Sequence, residues 1–232
     1  MAAPFRLGTA LRAAWLVAEK DLRIEMRTRE VLTTTVFFAI LVTIMTSFAF
    51  AVGIDTRTRV APGAIWLPTA FASVLAIGRT WQREREDQAW LGLLVSPAPR
   101  VSLFLGKALS TFLFVVAIEL FVVPVVALLF HVDLPESGAG IFVFQILGAL
   151  GVAFTGTLFG VMTVRTRARE LILGSVLFPL LLPSLISGVS ATRELLLGTP
   201  LLELTDYFEL LGAFAIFSLV LGCALFGPLV DE

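Results

Sequence analysis

Few side chains in this 232-residue chain could carry out covalent or acid–base chemistry. His131 is its only histidine and Cys223 its only cysteine. Together with Glu119 they form no nucleophile–base pair by spacing, and neither HExxH nor GxSxG occurs. A lone cysteine also excludes a disulfide within the chain and any CxxC metal or redox site. The only Gly-Lys pair, Gly106-Lys107, is followed by Ala108 and has Val101 where a phosphate-binding loop needs its first glycine. It reads as an interfacial anchor before an apolar helix, so an intramembrane enzyme or an ATPase is disfavoured. Glu119 is the exception that invites a function, because it stands inside a long apolar run where an ionised carboxylate costs several kcal/mol or more. It is a gate, a proton site or part of a substrate path, or else a protonated or hydrogen-bonded carboxyl tying helices together, with Pro124 freeing a carbonyl nearby.

The elements that must position these residues are transmembrane helices. The chain is 58% hydrophobic and only 15% charged, with 20 Phe, far from the composition of a soluble domain. Uncharged runs long enough to cross about 30 Å of hydrocarbon cover 31–54, 60–78, 137–164, 171–192 and 210–230. A sixth, 102–130, is interrupted by Lys107, which can snorkel to the interface, and by Glu119, which cannot easily do so. Of the 17 Lys and Arg, fourteen precede the first span or follow the second and fourth, leaving Arg57, Arg59 and Arg193 on the other side. The positive-inside rule then predicts cytoplasmic N and C termini. The first span follows a charged stretch and lacks a cleavage pattern at Phe48-Ala49-Phe50, so it is not expected to be a signal peptide. The expectation is one all-α transmembrane permease domain over 1–232, with no soluble domain at either end.

Two charged segments flank the early spans. Within 1–30, Leu11, Trp15, Ala18 and Leu22 recur at helical spacing among Arg12, Glu19, Lys20 and Arg23, predicting an amphipathic interfacial helix. It is either a topogenic flank or a connecting helix that moves with a partner. The segment 79–100, RTWQREREDQAWLGLLVSPAPR, is the most highly charged run of the chain. Glu84, Arg85, Glu86 and Asp87 place alternating charge on a short helix whose apolar ridge is Trp90, Leu93, Leu94 and Pro97, stopped by SPAP. A solvated loop needs the charges but not the ridge, which suits a groove on another protein.

The order ERE, GLL, VSPAPR and Gly106-Lys107 resembles the coupling-helix region of six-helix, ABC-2 type exporter permeases. More narrowly, EKDLRIEMRTRE, the stretch VAPGAIW from Val60, and the Pro179 and Pro183 pair resemble the CcmB family, permease subunits of the cytochrome c maturation haem exporter. The resemblance runs from about Glu19 to the sixth span. It implies a multi-pass protein of the bacterial inner membrane, a CcmA-type ATPase docking on residues 80 to 98, and CcmC, CcmD and the haem chaperone CcmE as further partners. ATP would be hydrolysed in the partner and haem would be a substrate; no resident cofactor and no nucleic acid are implied. A mechanical scaffold that releases loaded chaperone without conducting haem, and an exporter of another lipophilic substrate, are the alternatives. His131 could then be an axial haem ligand or an ordinary residue at a helix end, and Met45 and Met162 read as lipid-facing or packing residues.

Small residues mark where helices approach closely in lipid. Gly148, Gly156 and Gly160 recur with Val152 every four residues in the fourth span, and Ala39, Thr43, Ser47 and Ala51 do so in the first. Intrachain packing is the first reading, a seam with a second copy the other. The acidic stretch from Arg193 to Glu209, broken by Gly198 and Pro200, predicts two short interfacial turns able to meet a partner on the outer face.

Overall fold

The computed structural model describes residues 7–50, 54–86, 89–165 and 172–231, and all regular structure among them is helical. The elements are α1 (Leu7–Thr28), α2 (Glu30–Ala49), α3 (Ile54–Glu86), α4 (Ala89–Val95), α5 (Arg100–Phe130), α6 (Leu134–Arg165), α7 (Phe178–Leu196) and α8 (Thr205–Asp231). A π-helical turn, Ile172–Leu177, leads into α7, and a 3₁₀ turn, Leu201–Glu203, precedes α8. Six helices, α2, α3 and α5–α8, are long and apolar enough to cross a membrane.

Hydropathy finds these six but shortens some of them. The second span runs past Gly78 to Glu86, making α3 a 33-residue rod of about 50 Å. Charges at a helix end that leaves the membrane do not break the helix, so ERE extends α3 while Trp90 belongs to the separate α4. Asp87 and Gln88 between them lie outside the described residues. The expected pair of turns before α8 is a single 3₁₀ turn, because α7 continues through Arg193 to Leu196 and stops before Gly198 at φ 92°.

Inside the bundle α3 and α6 form the axis, with 67% of the residues in each apolar stretch buried against 22% in α2 and 28% in α8. Bulky side chains of α3 fill the glycine stripe of α6. Trp66 packs where a Cβ on Gly148 would come within 2.6 Å of its ring, Ile77 lies against Gly156, and Trp81 lies against Gly160. Trp66 also covers Gly188 of α7 and donates from Nε1 to Thr192 Oγ1 at 2.9 Å. Hydroxyls on α2 and α3 bond back to carbonyls of their own helix, as Thr35, Thr43, Thr69 and Ser73 do, which satisfies them where no water is available.

The amphipathic helix α1 carries a second, buried face of mostly small residues beside its interfacial one. Its buried side is Ala10, Ala14, Val17, Ala18, Asp21 and Glu25, seated on α5, while Trp15 is 55% exposed and Leu11 points outward with it. The approach is close: a Cβ on Gly106 would lie 2.5 Å from the Ala14 carbonyl oxygen. Small residues thus face the bundle, and the large apolar ones remain for the membrane interface.

A buried ion cluster beneath α4 as candidate functional site

Four charges from three helices meet at the end of the bundle that carries α4. Lys107, on the second turn of α5, is 1% exposed and does not snorkel outward as its sequence position suggests. Its Nζ lies 2.8 Å and 3.1 Å from the two carboxylate oxygens of Asp21 on α1, and also donates to Glu84 Oε1 on α3. Partners from two other helices remove the reason for the ammonium to reach water. Lys20 adds a second ammonium, bonded to Glu84 and 3.2 Å from Asp21. The Ser110 hydroxyl lies 3.0 Å from Asp21 Oδ2, and the Trp81 ring centre stands 5.6 Å from the Lys107 ammonium.

Two cations and two anions balance, the condition under which burial of charge is tolerated. Burial pushes the Asp21 carboxyl up, but Lys107 and Lys20, with hydrogen bonds from Lys107 and Ser110, outweigh it and hold the pKa below its ordinary 3.8. Burial likewise opposes the Lys20 charge, yet Asp21 and Glu84 hold it above the ordinary 10.5. Asp21 and Lys20 are therefore both ionised through the neutral range.

A second layer fastens the elbow between α1 and α2. Glu25, also buried, accepts the Leu32 backbone N–H at 2.8 Å, and Arg29 turns the chain with φ 54°. Arg83 of α3 reaches Glu25 at 3.5 Å, Glu30 at 3.2 Å and the Thr28 hydroxyl at 3.3 Å. One helix end of α3 thus grips α1, the elbow and α5 together.

The cluster communicates with α4 through a cavity of about 70 Å³ lined by Lys20, Asp21, Thr80, Arg83, Glu84 and, from α4, Ala89. Glu84 Oε2 is buried without a partner beside it, and the space admits water that can satisfy that oxygen. Motion of α4 would change this cavity first.

The candidate docking residues fall into distinct places. Glu84 turns inward into the cluster, whereas Arg85 and Glu86 are exposed at the end of α3, with Glu86 accepting from Gln82 at 2.7 Å. Pro97 is exposed in the turn into α5, and Leu91 and Val95 are exposed on α4, Val95 by 87%. Trp90, Leu93 and Leu94 lie in α4, but their side chains are outside the described part. Glu119 is far from the cluster, 2% exposed, with Oε2 unpaired. His131 caps α5 in the left-handed conformation and lines a cavity with Asp133, Glu136 and Thr199. No group of three or more His, Cys, Asp or Glu is placed to hold a metal among the described residues.

Sequence reasoning missed Asp21, Glu25, Arg83 and the inward turn of Lys107. The available signal was the register of α1, in which Asp21 and Glu25 continue the small-residue line Ala10, Ala14 and Val17. Acids on a line of alanines mark a polar contact with another helix, not a solvated face.

A family model described as CcmB protein matches residues 12–227. This chain belongs to the CcmB family. Among its relatives, proteins called heme exporter protein B are 27% identical in Bradyrhizobium diazoefficiens, over 92% of this chain and 94% of the relative. In Pseudomonas aeruginosa the identity is 27%, over 80% and 82% of the two chains, and in Paracoccus denitrificans it is 26%, over 75% and 80%. The CcmB match takes in both layers of the cluster, from Glu25 and Asp21 through Arg83 and Glu84 to Lys107.

Proposed function

We propose that this chain is the membrane permease subunit of an ATP-driven complex acting in haem export to the haem chaperone during cytochrome c biogenesis. The observation that carries the reading is the buried, charge-balanced cluster joining α1, α3 and α5 directly beneath α4. A force on α4 or on the end of α3 is passed to α1 and α5 through ionic contacts that are expensive to separate. Residues 1–30 serve as the connecting helix and 79–100 as the coupling segment, within one permease domain. A CcmA-type ATPase docks there, using Arg85, Glu86, Trp90, Leu93, Leu94 and Pro97, while Glu84 transmits the motion inward. CcmC, CcmD and CcmE complete the complex in the bacterial inner membrane, both termini are cytoplasmic, and ATP is hydrolysed in the partner. The relatives' name, heme exporter protein B, supports haem as the cargo.

One observation favours a mechanical role in chaperone release over a conduit. Ile118 and Val122, which flank Glu119 on α5, are fully buried in an apolar cluster that also holds Ile141 and Phe144 of α6. A second copy of the chain would be needed for a conduit between protomers.

The test is co-purification and ATPase activity of the complex with Leu93→Asp and Leu94→Asp. Loss of the ATPase subunit is the expected result, and a fully coupled ATPase in both variants would overturn the docking assignment. Transfer of haem to the chaperone by an otherwise intact complex carrying a bulky residue at Glu119, such as Glu119→Trp, would favour release over conduction.

A further inference from the structure

At the end of the bundle opposite α4, Arg59 of α3 and Arg193 of α7 line one cavity of about 130 Å³, with Leu196 and Leu197 as its other walls. Arg59 opens the apolar stretch of α3, and Arg193 stands three residues before the end of that of α7 at Leu196. Both side chains therefore lie where helices pass from hydrocarbon to headgroups. Neither makes an ion pair or hydrogen bond among the described residues.

Carboxylates are not scarce at this end, which holds Asp133, Glu136, Glu194, Glu203, Asp206 and Glu209. Glu194, adjacent in sequence, accepts instead from Thr199 Oγ1 at 3.5 Å. Both arginines are exposed at the edge of this small space beside the leucines, and an anion bound between two such like charges relieves their repulsion. An oxyanion there reverses the sign of the interaction, and the planar donor fork of arginine fits phosphate or carboxylate through two parallel hydrogen bonds. Headgroup depth and leucine walls select an oxyanion attached to an apolar body over a free ion.

We propose that Arg59 and Arg193 form a binding site for the phosphate of an anionic membrane phospholipid, with Leu196 and Leu197 against its glycerol and upper acyl carbons. The site is independent of what the complex transports. With two cations and one phosphate, a headgroup that adds no positive charge, such as phosphatidylglycerol, binds ahead of phosphatidylcholine.

The test is native mass spectrometry of the full chain released from nanodiscs of mixed phosphatidylglycerol and phosphatidylcholine. The expected result is a retained phosphatidylglycerol that falls about tenfold or more in R59Q/R193Q, the loss of one or more charge-assisted hydrogen bonds. R59K/R193K keeps the charge but loses the fork, and is expected to bind at an intermediate level. It also serves if the neutral pair does not fold. Equal occupancy in the wild type and both variants would overturn the site, as would full binding by the lysine pair alone. Displacement of the lipid by inorganic phosphate would identify a small-anion site and overturn the lipid assignment.

Discussion

The two ends of the bundle treat charge in opposite ways. Beneath α4, Lys20, Asp21, Glu84 and Lys107 are drawn from three helices into mutual contact and largely removed from water. At the far end Arg59 and Arg193 share a cavity with each other while Glu194 accepts from Thr199. A neutral, internally paired cluster holds helices to one another, whereas unpaired charge is available to a ligand. The first end is built to carry load and the second to bind.

The contrast breaks most severely at Lys107. Lys107→Met leaves Asp21 and Glu84 buried with only Lys20, and the expected cost is about 3–5 kcal/mol. It should appear as a lower midpoint of thermal unfolding and as rapid protease cleavage of α1. Adding Asp21→Asn and Glu84→Gln to Lys107→Met should recover most of the loss, because the carboxylates then no longer need a cation. If the triple variant is no more stable than the single one, the cluster is not held by charge pairing. Gly106→Val is expected to cost about 1–3 kcal/mol by overpacking, since its Cβ meets backbone of α1 which cannot move without lifting the helix. Protection of α1 amides from hydrogen exchange reports that lifting directly.

Acidity provides a milder perturbation. The Asp21 pKa is lowered in the folded protein, so its stabilisation is fully present above the ordinary value of 3.8 and is lost as pH falls through the lower folded value. That of Lys20, whose pKa is raised, is present below 10.5 and lost as pH rises through the higher folded value. Protease sensitivity of α1 should therefore stay flat between those limits in the wild type and rise sharply only in strong acid or strong base. The smallest effect is expected from Trp66→Phe, which removes the bond to Thr192 and should cost about 1 kcal/mol with the glycine cradle still filled.

Much of the architecture was legible because it is written in local sequence. Six apolar runs give six helices, and the glycine stripe announces a close approach whatever the neighbour is. The neighbours themselves, Trp66, Ile77 and Trp81, lie about 80 positions earlier in the chain and carry no mark of the pairing. The ion cluster was hidden for the same reason: Lys107 judged alone is a snorkelling lysine, and only contact with Glu84 and Asp21, 23 and 86 residues away, makes it a buried one. The buried face of α1 went unread because large apolar residues dominate any measure of amphipathicity. Trp15 and Leu11 outweigh the alanines that make the contact.

The separation of Asp21 from Lys107 also sets an order of events during synthesis. When α1 leaves the ribosome its partner cation is 86 residues from being made, a delay of roughly 4–17 s at ordinary elongation rates. Until Arg83 and then Lys107 are made, Glu25 and Asp21 lack these partners, and their carboxylates stay in water while Trp15 and Leu11 hold the helix on the bilayer surface. Docking of α1 is thus a late step that follows insertion of α5. The newborn chain must insert α2, α3 and α5 before it can close the latch on its own beginning.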